Sequence, residues 1–176
     1  MGRAAVFIDE GYFDVVTKNY GNLRIDYESF TDELCDPDRR FRTYWYHCPP
    51  WQDDPPTSDQ RERFGNYQKF KDALSYLPRF KIREGGLQKI NEEFKQKKVD
   101  IMLAVDAVKL ASTGKIDRAI FVTGDSDFVP VIESIDGTGV TTTLCYDPNQ
   151  PIHNSIRSAV DERFELNKDF LNNHRR

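Results

Sequence analysis

Histidine, cysteine and long apolar runs are scarce in this chain, and each scarcity removes a class of function. The three cysteines, Cys35, Cys48 and Cys145, are odd in number and widely spaced. They suit reduced thiols in a cytoplasmic protein better than a disulfide framework. With only three histidines, the stretch Gly124-Asp125-Ser126 gains no obvious general base. His153 follows Asp147 by six residues, and no histidine marks another strand end, so a serine-hydrolase triad is disfavoured. His47 beside Cys48 lacks the second Cys or His pair that zinc needs; packing against a sheet is the better account of both. No stretch approaches the roughly 18 apolar residues of a membrane span. Asp9 and Glu10 interrupt the first apolar segment before it can serve as a signal h-region. The dinucleotide pattern G-x-G-x-x-G and the phosphate-loop pattern G-K-[ST] are both missing. The net charge of -4 argues against a general nucleic-acid coat. It leaves room for a nuclease, whose acidic metal site lowers net charge while basic patches hold phosphates.

What is present is ordinary for a globular domain: 38% hydrophobic and 31% charged residues over 176 positions. That length suits one well-buried core and is short for two. No internal repeat, low-complexity tract or linker appears, so residues 1–176 read as one domain.

The organising stretch is Ala119 to Ile132. An apolar run ends at Val122, Thr123-Gly124 turns the chain, Asp125 and Asp127 follow, and Phe128, Val131, Ile132 and Ile135 fall at helical spacing. This reads as strand, acidic turn, helix. Arg3 to Ile8 repeats the theme, with Asp9 at the strand end. Residues 10 to 34 read as mostly helical, broken at Gly21-Asn22. Phe41 to Cys48 is aromatic and strand-like, and the prolines between Pro49 and Pro56 make a loop. A helix capped by Ser58 or Asp59 runs to about Leu77, Pro78 stops it, and Arg79 to Glu84 forms a third strand. Residues 87 to 98, polar and lysine-rich, show no assignable period. Val99 to Ala111 is helical, Val140 to Cys145 a strand, Asn154 or Ser155 the start of a short helix, and Phe164 to Leu166 a last edge strand. Alternating strands and helices imply a mostly parallel central sheet between helices, an α/β/α arrangement.

In such sheets ligands bind outside the carboxyl ends of the strands. A helix starting near Asp100 runs back antiparallel to the strand at 119–123, which brings Asp100 to the edge that Asp125 occupies. Asp106 lies further along, about 9 Å at 1.5 Å per residue, although its side chain leans back toward the helix start. Asp9, Asp125, Asp127 and at least one of Asp100 and Asp106 can therefore converge. Crowded carboxylates raise one another's pKa unless a cation intervenes, and an all-oxygen cluster selects Mg²⁺ or Mn²⁺ over zinc. Phosphodiester hydrolysis is the chemistry such a cage serves best. An aspartate before a helix is also a common N-cap, so each one singly has a structural explanation.

Arg39, Arg40, Arg42, Lys95 to Lys98 and Arg157 offer phosphate contacts, and Trp45, Tyr46, Trp51 and Tyr67 offer stacking surfaces. A solvated lysine face and an aromatic core are the plain alternatives.

Three stretches, Val6-Phe7-Ile8-Asp9, Lys98-Val99-Asp100 through Asp106, and Val122-Thr123-Gly124-Asp125-Ser126-Asp127-Phe128, together resemble the NYN domain of the PIN-like nuclease superfamily and, within it, the LabA-like branch. Ser155 to Phe164 resembles the family's closing segment. The resemblance implies a PIN-like three-layer sandwich and a Mg²⁺- or Mn²⁺-dependent ribonuclease. It places Asp9, Asp100, Asp106, Asp125 and Asp127 in or beside the site. Asp9, Asp106, Asp125 and Asp127 are expected as metal ligands, and Tyr12, Lys98, Thr123, Ser126 and Arg157 as substrate contacts. Many NYN domains carry Asn three residues after the first Asp, where this chain has Tyr12. The alternative is a non-catalytic regulatory or scaffold module that binds RNA or a protein partner, or pairs as a homodimer. A phosphatase acting on a small phosphoester shares the same metal chemistry.

Overall fold

Ala4 to Ile8 have no exposed surface, and a strand buried on both faces needs helices above and below it. The computed structural model describes residues 1–90 and 93–176, with backbone alone over 87–90 and 93–97. It shows that arrangement. The elements are β1 (Arg3–Asp9), α1 (Glu10–Asn19), α2 (Tyr27–Cys35), β2 (Arg39–His47), α3 (Ser58–Ser75), β3 (Phe80–Glu84), β4 (Gly86–Ile90), β5 (Glu93–Lys97), α4 (Val99–Ser112), β6 (Arg118–Val122), α5 (Val129–Ile135), β7 (Thr141–Tyr146), α6 (Asn154–Ala159), β8 (Glu162–Glu165) and α7 (Lys168–Asn173).

Six strands form one sheet in the order β3-β2-β1-β6-β7-β8, and every pairing in it is parallel. Successive strand residues face opposite sides, and β2 shows both. Trp45 meets the rings of Phe13, Tyr27 and Phe70 from α1, α2 and α3. Its neighbour Tyr46 reaches Asp106 of α4 on the other face. Helix α7 joins the first layer through the contact of Phe170 with Phe30, while α5 packs with α4 and α6 packs with α5. The α/β sandwich read from the sequence is thus the observed one.

Local chemistry sets the boundaries. Gly21 and Asn22, both at positive φ, end α1, and Asp26 caps α2 by accepting the Glu28 and Ser29 amides. Helix α3 is capped by Thr57, one residue before the nearer expected cap Ser58, because Thr57 and Gln60 form a reciprocal capping box that stabilises it by about 1 kcal/mol. The segment 87–98, unassigned from the sequence, contributes the antiparallel pair β4-β5. The last strand begins at Glu162 rather than Phe164, and α7 follows it with Asn167 as its cap. No helix among the described residues is long and apolar enough to cross a membrane.

Phe7 lies at the centre, stacked between Tyr44 and Phe121. Truncating a fully buried phenylalanine typically costs about 3–5 kcal/mol. Phe7→Ala is expected to lose that much in urea denaturation with an unchanged m-value. A loss below about 1 kcal/mol would refute a rigid centre to this sheet.

Candidate functional site

The strand order reverses direction between β1 and β6, since β2 and β3 extend from one side of β1 and β6, β7 and β8 from the other. The carboxyl ends of strands at such a reversal bound an open crevice. The pairing of Ile8 with Val122 sets Asp9 beside Thr123. The buried Thr123 hydroxyl donates to Asp9 Oδ2 at 3.1 Å and accepts the Asp125 amide at 3.2 Å. Asp9 Oδ1 accepts the Tyr12 amide at 3.4 Å, and Asp125 Oδ1 accepts the Asp127 amide at 2.9 Å. Both aspartates are therefore caps, Asp9 of α1 and Asp125 of the short 3-10 turn Ser126–Phe128.

They are also crowded. Burial pushes the Asp9 carboxyl up, and the charges of Asp100 and Asp125 push it further against the opposing bonds from Thr123 and Tyr12. Asp100 is raised by burial and then by Asp125 and Asp127. Asp9 and Asp100 thus each lie within electrostatic reach of Asp125, Asp9 also of Asp100, and Asp100 also of Asp127. Among the described residues, neither Asp100 nor Asp127 pairs with a cationic side chain.

Asp106 is elsewhere. Tyr46 Oη donates to its Oδ2 at 2.9 Å, while Arg83 donates to Oδ2 through Nε at 2.8 Å and to Oδ1 through Nη2 at 2.6 Å. Asp9, Tyr46 and Arg83 stand at one level on adjacent strands, so Asp106 lies over β2 and β3, displaced from the β1–β6 crevice. The metal-ligand role expected for it gives way to a bidentate ion pair, because the helical advance from Asp100 is not recovered by the side chain's lean.

Tyr12 is put to a different use from the expected substrate contact. It is buried, and its hydroxyl accepts the Asp147 amide at 2.9 Å. Burial raises its pKa to about 12. Its ring covers Gly124, where an added Cβ would sit 2.6 Å from Tyr12 Cε2 and 2.9 Å from Ile152 Cγ2. Only glycine fits there. Thr123, likewise wholly buried, orients Asp9 rather than facing a ligand. Ser126 opens the 3-10 turn half-buried, and its carbonyl accepts the Val129 amide.

Lys98 is exposed at the start of α4 with φ of 77°, a left-handed conformation that costs a lysine about 1 kcal/mol or more. Arg157, exposed on α6, has its guanidinium 5.3 Å from the centroid of the Tyr146 ring. Arg39, Arg40 and Arg42 lie in the first half of β2, away from the strand ends that carry the acids, and Arg40 is buried against Asp32 and Phe80. Trp45, Tyr46 and Tyr67 are core residues, and Trp51 Nε1 donates to Asp53 at 3.0 Å. The side chains of Lys95 and Lys97 lie outside the described residues. Cys48 Sγ donates to the Gly86 carbonyl and His47 pairs with Glu10, which leaves the zinc idea without support. Arg83 and Tyr46 carried no local sequence signal, since their relation to Asp106 depends on strand order.

The donor set is all carboxylate, which fits a hard divalent cation. Among the described residues no three His, Cys, Asp or Glu side chains stand close enough as placed to share one ion. Mg²⁺ commonly takes one or two carboxylates and keeps its other positions for water and phosphate, so the residues fit such a centre without a complete cage.

Fold and crevice together define a doubly wound α/β domain with an acidic site at its switch point. The NYN domain family model matches residues 3–167, and the chain belongs to the NYN domain family. No curated protein matches it. The fold is similar to that of a protein of unknown function from Vibrio parahaemolyticus, with a TM-score of 0.72 and 19% identity over 97% of this chain and 96% of that one. At that identity the likeness bears on fold alone.

The crowding fixes the sign of a pH effect. A carboxyl raised on folding contributes stability that is full below its ordinary value of 3.8 and is lost as pH climbs through its raised value. Asp9→Asn and Asp100→Asn should therefore leave the metal-free Tm nearly unchanged at about pH 3 and raise it at about pH 7. Thermal melts across that range check this, and variants less stable than the parent at neutral pH would contradict it.

Proposed function

We propose that the chain is a divalent-metal-dependent ribonuclease of the LabA-like branch, acting as one PIN-like unit over residues 1–176 in the cytoplasm. The observation that carries this reading is a set of mutually repelling carboxylates, poor in cationic partners, at the switch point of an NYN-family sheet. Asp9, Asp125 and Asp127 would supply the ligands of one or two Mg²⁺ or Mn²⁺ ions, no three of them meeting on one ion as placed, with Asp100 a further ligand or an orienting group. When bound, the cation polarises the phosphodiester and stabilises the leaving oxygen.

The remaining parts fall to other residues. Thr123 fixes the Asp9 carboxylate by donating to Oδ2. Asp106 holds Arg83 and ties α4 to the sheet. Lys98, exposed at the acidic helix start, and Arg157, exposed on the helix that packs against the 3-10 turn opened by Ser126, are the cations offered to flanking RNA phosphates.

The test is incubation of labelled single-stranded and structured RNA with Mn²⁺. Cleavage by the parent and a loss of at least about a hundred-fold in Asp125→Asn are expected, since even outer-shell changes at metal sites cost 10–100-fold. Cleavage that survives the substitution sinks the assignment. A second reading, a non-catalytic module binding RNA or a protein partner, draws on the lack of a three-residue cage among the described residues. Calorimetric Mn²⁺ binding without turnover would favour it.

A further inference from the structure

A second concavity lies on the opposite face of the sheet. It is a cleft of about 940 Å³ between α1, the start of α2 and α3, with Trp45 at its floor. Tyr27 and Phe70 stand edge-on to Trp45, with ring centroids 4.9 and 5.8 Å away. Both are only partly buried, so ring surface is left facing the cleft.

The polar lining is rich in acceptors: Glu10, Asp14, Asp26 and Glu28. The cationic side chains of the lining, Arg24 and Arg176, lie beyond the far end of α1 from Glu10. His47 Nδ1 is 2.8 Å from Glu10 Oε2. A carboxylate only accepts, so Nδ1 carries the hydrogen of that bond and Glu10 is the acceptor. Nε2 of the same ring is buried and has no hydrogen-bond partner among the described residues.

Aromatic walls with acceptors at the rim suit a planar ring that carries N–H donors. Phosphates are repelled by the same carboxylates. We infer that this cleft binds a nucleobase bearing an exocyclic amine: adenine, cytosine or guanine. Glu10 follows Asp9 directly, so a carboxylate lining the cleft and one of the acidic crevice are consecutive in the chain at the end of β1. The assignment of that base to an RNA strand whose phosphate lies at Asp9 rests on the ribonuclease reading. A free nucleoside presents the same chemistry.

The test is calorimetric titration of the intact protein with adenosine, cytidine, guanosine, uridine and choline in EDTA, which removes any dependence on cation or cleavage. Saturable binding of the amino-bearing nucleosides is expected, about ten-fold or more tighter than uridine. Ala73→Trp, which fills the cleft from an exposed position on α3, should abolish it, and Glu28→Gln should weaken it. Melting curves establish that both variants fold. Absence of saturable nucleoside binding, equal binding of uridine, binding unaffected by Ala73→Trp, or choline binding in place of nucleosides would overturn the inference. An adenine-containing oligonucleotide that competes with adenosine identifies the strand as the source; failure to compete identifies the free nucleoside. RNA cleavage without nucleoside binding removes the cleft alone, and nucleoside binding without cleavage removes the nuclease reading alone.

Discussion

Like-charge crowding where the strand order reverses is the constraint on which the other features of this protein bear. Parallel pairing of β1 with β6 puts the acidic ends of two strands side by side, and the helix start bearing Asp100 closes on the same space. Asp9 and Asp125 each cap a following turn, a contribution of about 1 kcal/mol. Serine or asparagine would cap as well without a charge. Local structure therefore explains a hydrogen-bonding side chain at these positions and does not explain four carboxylates gathered where burial, and then neighbouring charge, raises Asp9 and Asp100. A divalent cation would, because its attraction to each carboxylate offsets their mutual repulsion.

Repelling groups relax apart unless something prevents it, and the structure pins both sides of the crevice. On one side Asp106 anchors α4 to β2 and β3 through Tyr46 and Arg83, which fixes where the start of that helix stands. On the other, the Tyr12 ring presses on Gly124 while its hydroxyl takes the Asp147 amide. That single side chain joins α1, the acidic turn and the end of β7. Tyr12 is thus a brace behind the crevice rather than a polar group facing into it. Asp106 and Tyr12 belong to the site's frame, although both looked like members of its surface.

The residues that announced themselves in the sequence did so through strand ends. Apolar runs that stop at Asp9 and just short of Asp125 locate the crevice, because it lies outside the carboxyl ends of the buried strands. The helical reading of 99–111 likewise carries Asp100 to the correct edge. Asp106 failed for a reason no single-chain pattern contains: its partners Tyr46 and Arg83 are adjacent only because β2 and β3 pair in register. The arginines of β2 misled in the same way, since a cluster at 39–42 means little until the strand's direction puts it at one edge or the other. The β4-β5 pair had no hydrophobic period to betray it, and α7 is one short amphipathic turn too brief to register.

The end of β1 divides two chemistries. Asp9, level with Tyr46 and Arg83, faces the α4 side; Glu10, the first residue of α1, lines the cleft on the other side. Both faces present carboxylates, and the chain as a whole carries a net charge of -4. A polyanion approaching this edge meets repulsion that Lys98 and Arg157 offset only locally, since screening confines each to about 8 Å at physiological salt. On the ribonuclease reading a bound divalent cation would change that balance more than any side chain here, by adding two positive charges beside the crowded carboxylates. Cation binding would then precede productive contact with a phosphate backbone, and affinity for RNA and competence to cleave it would be coupled through the same four carboxylates.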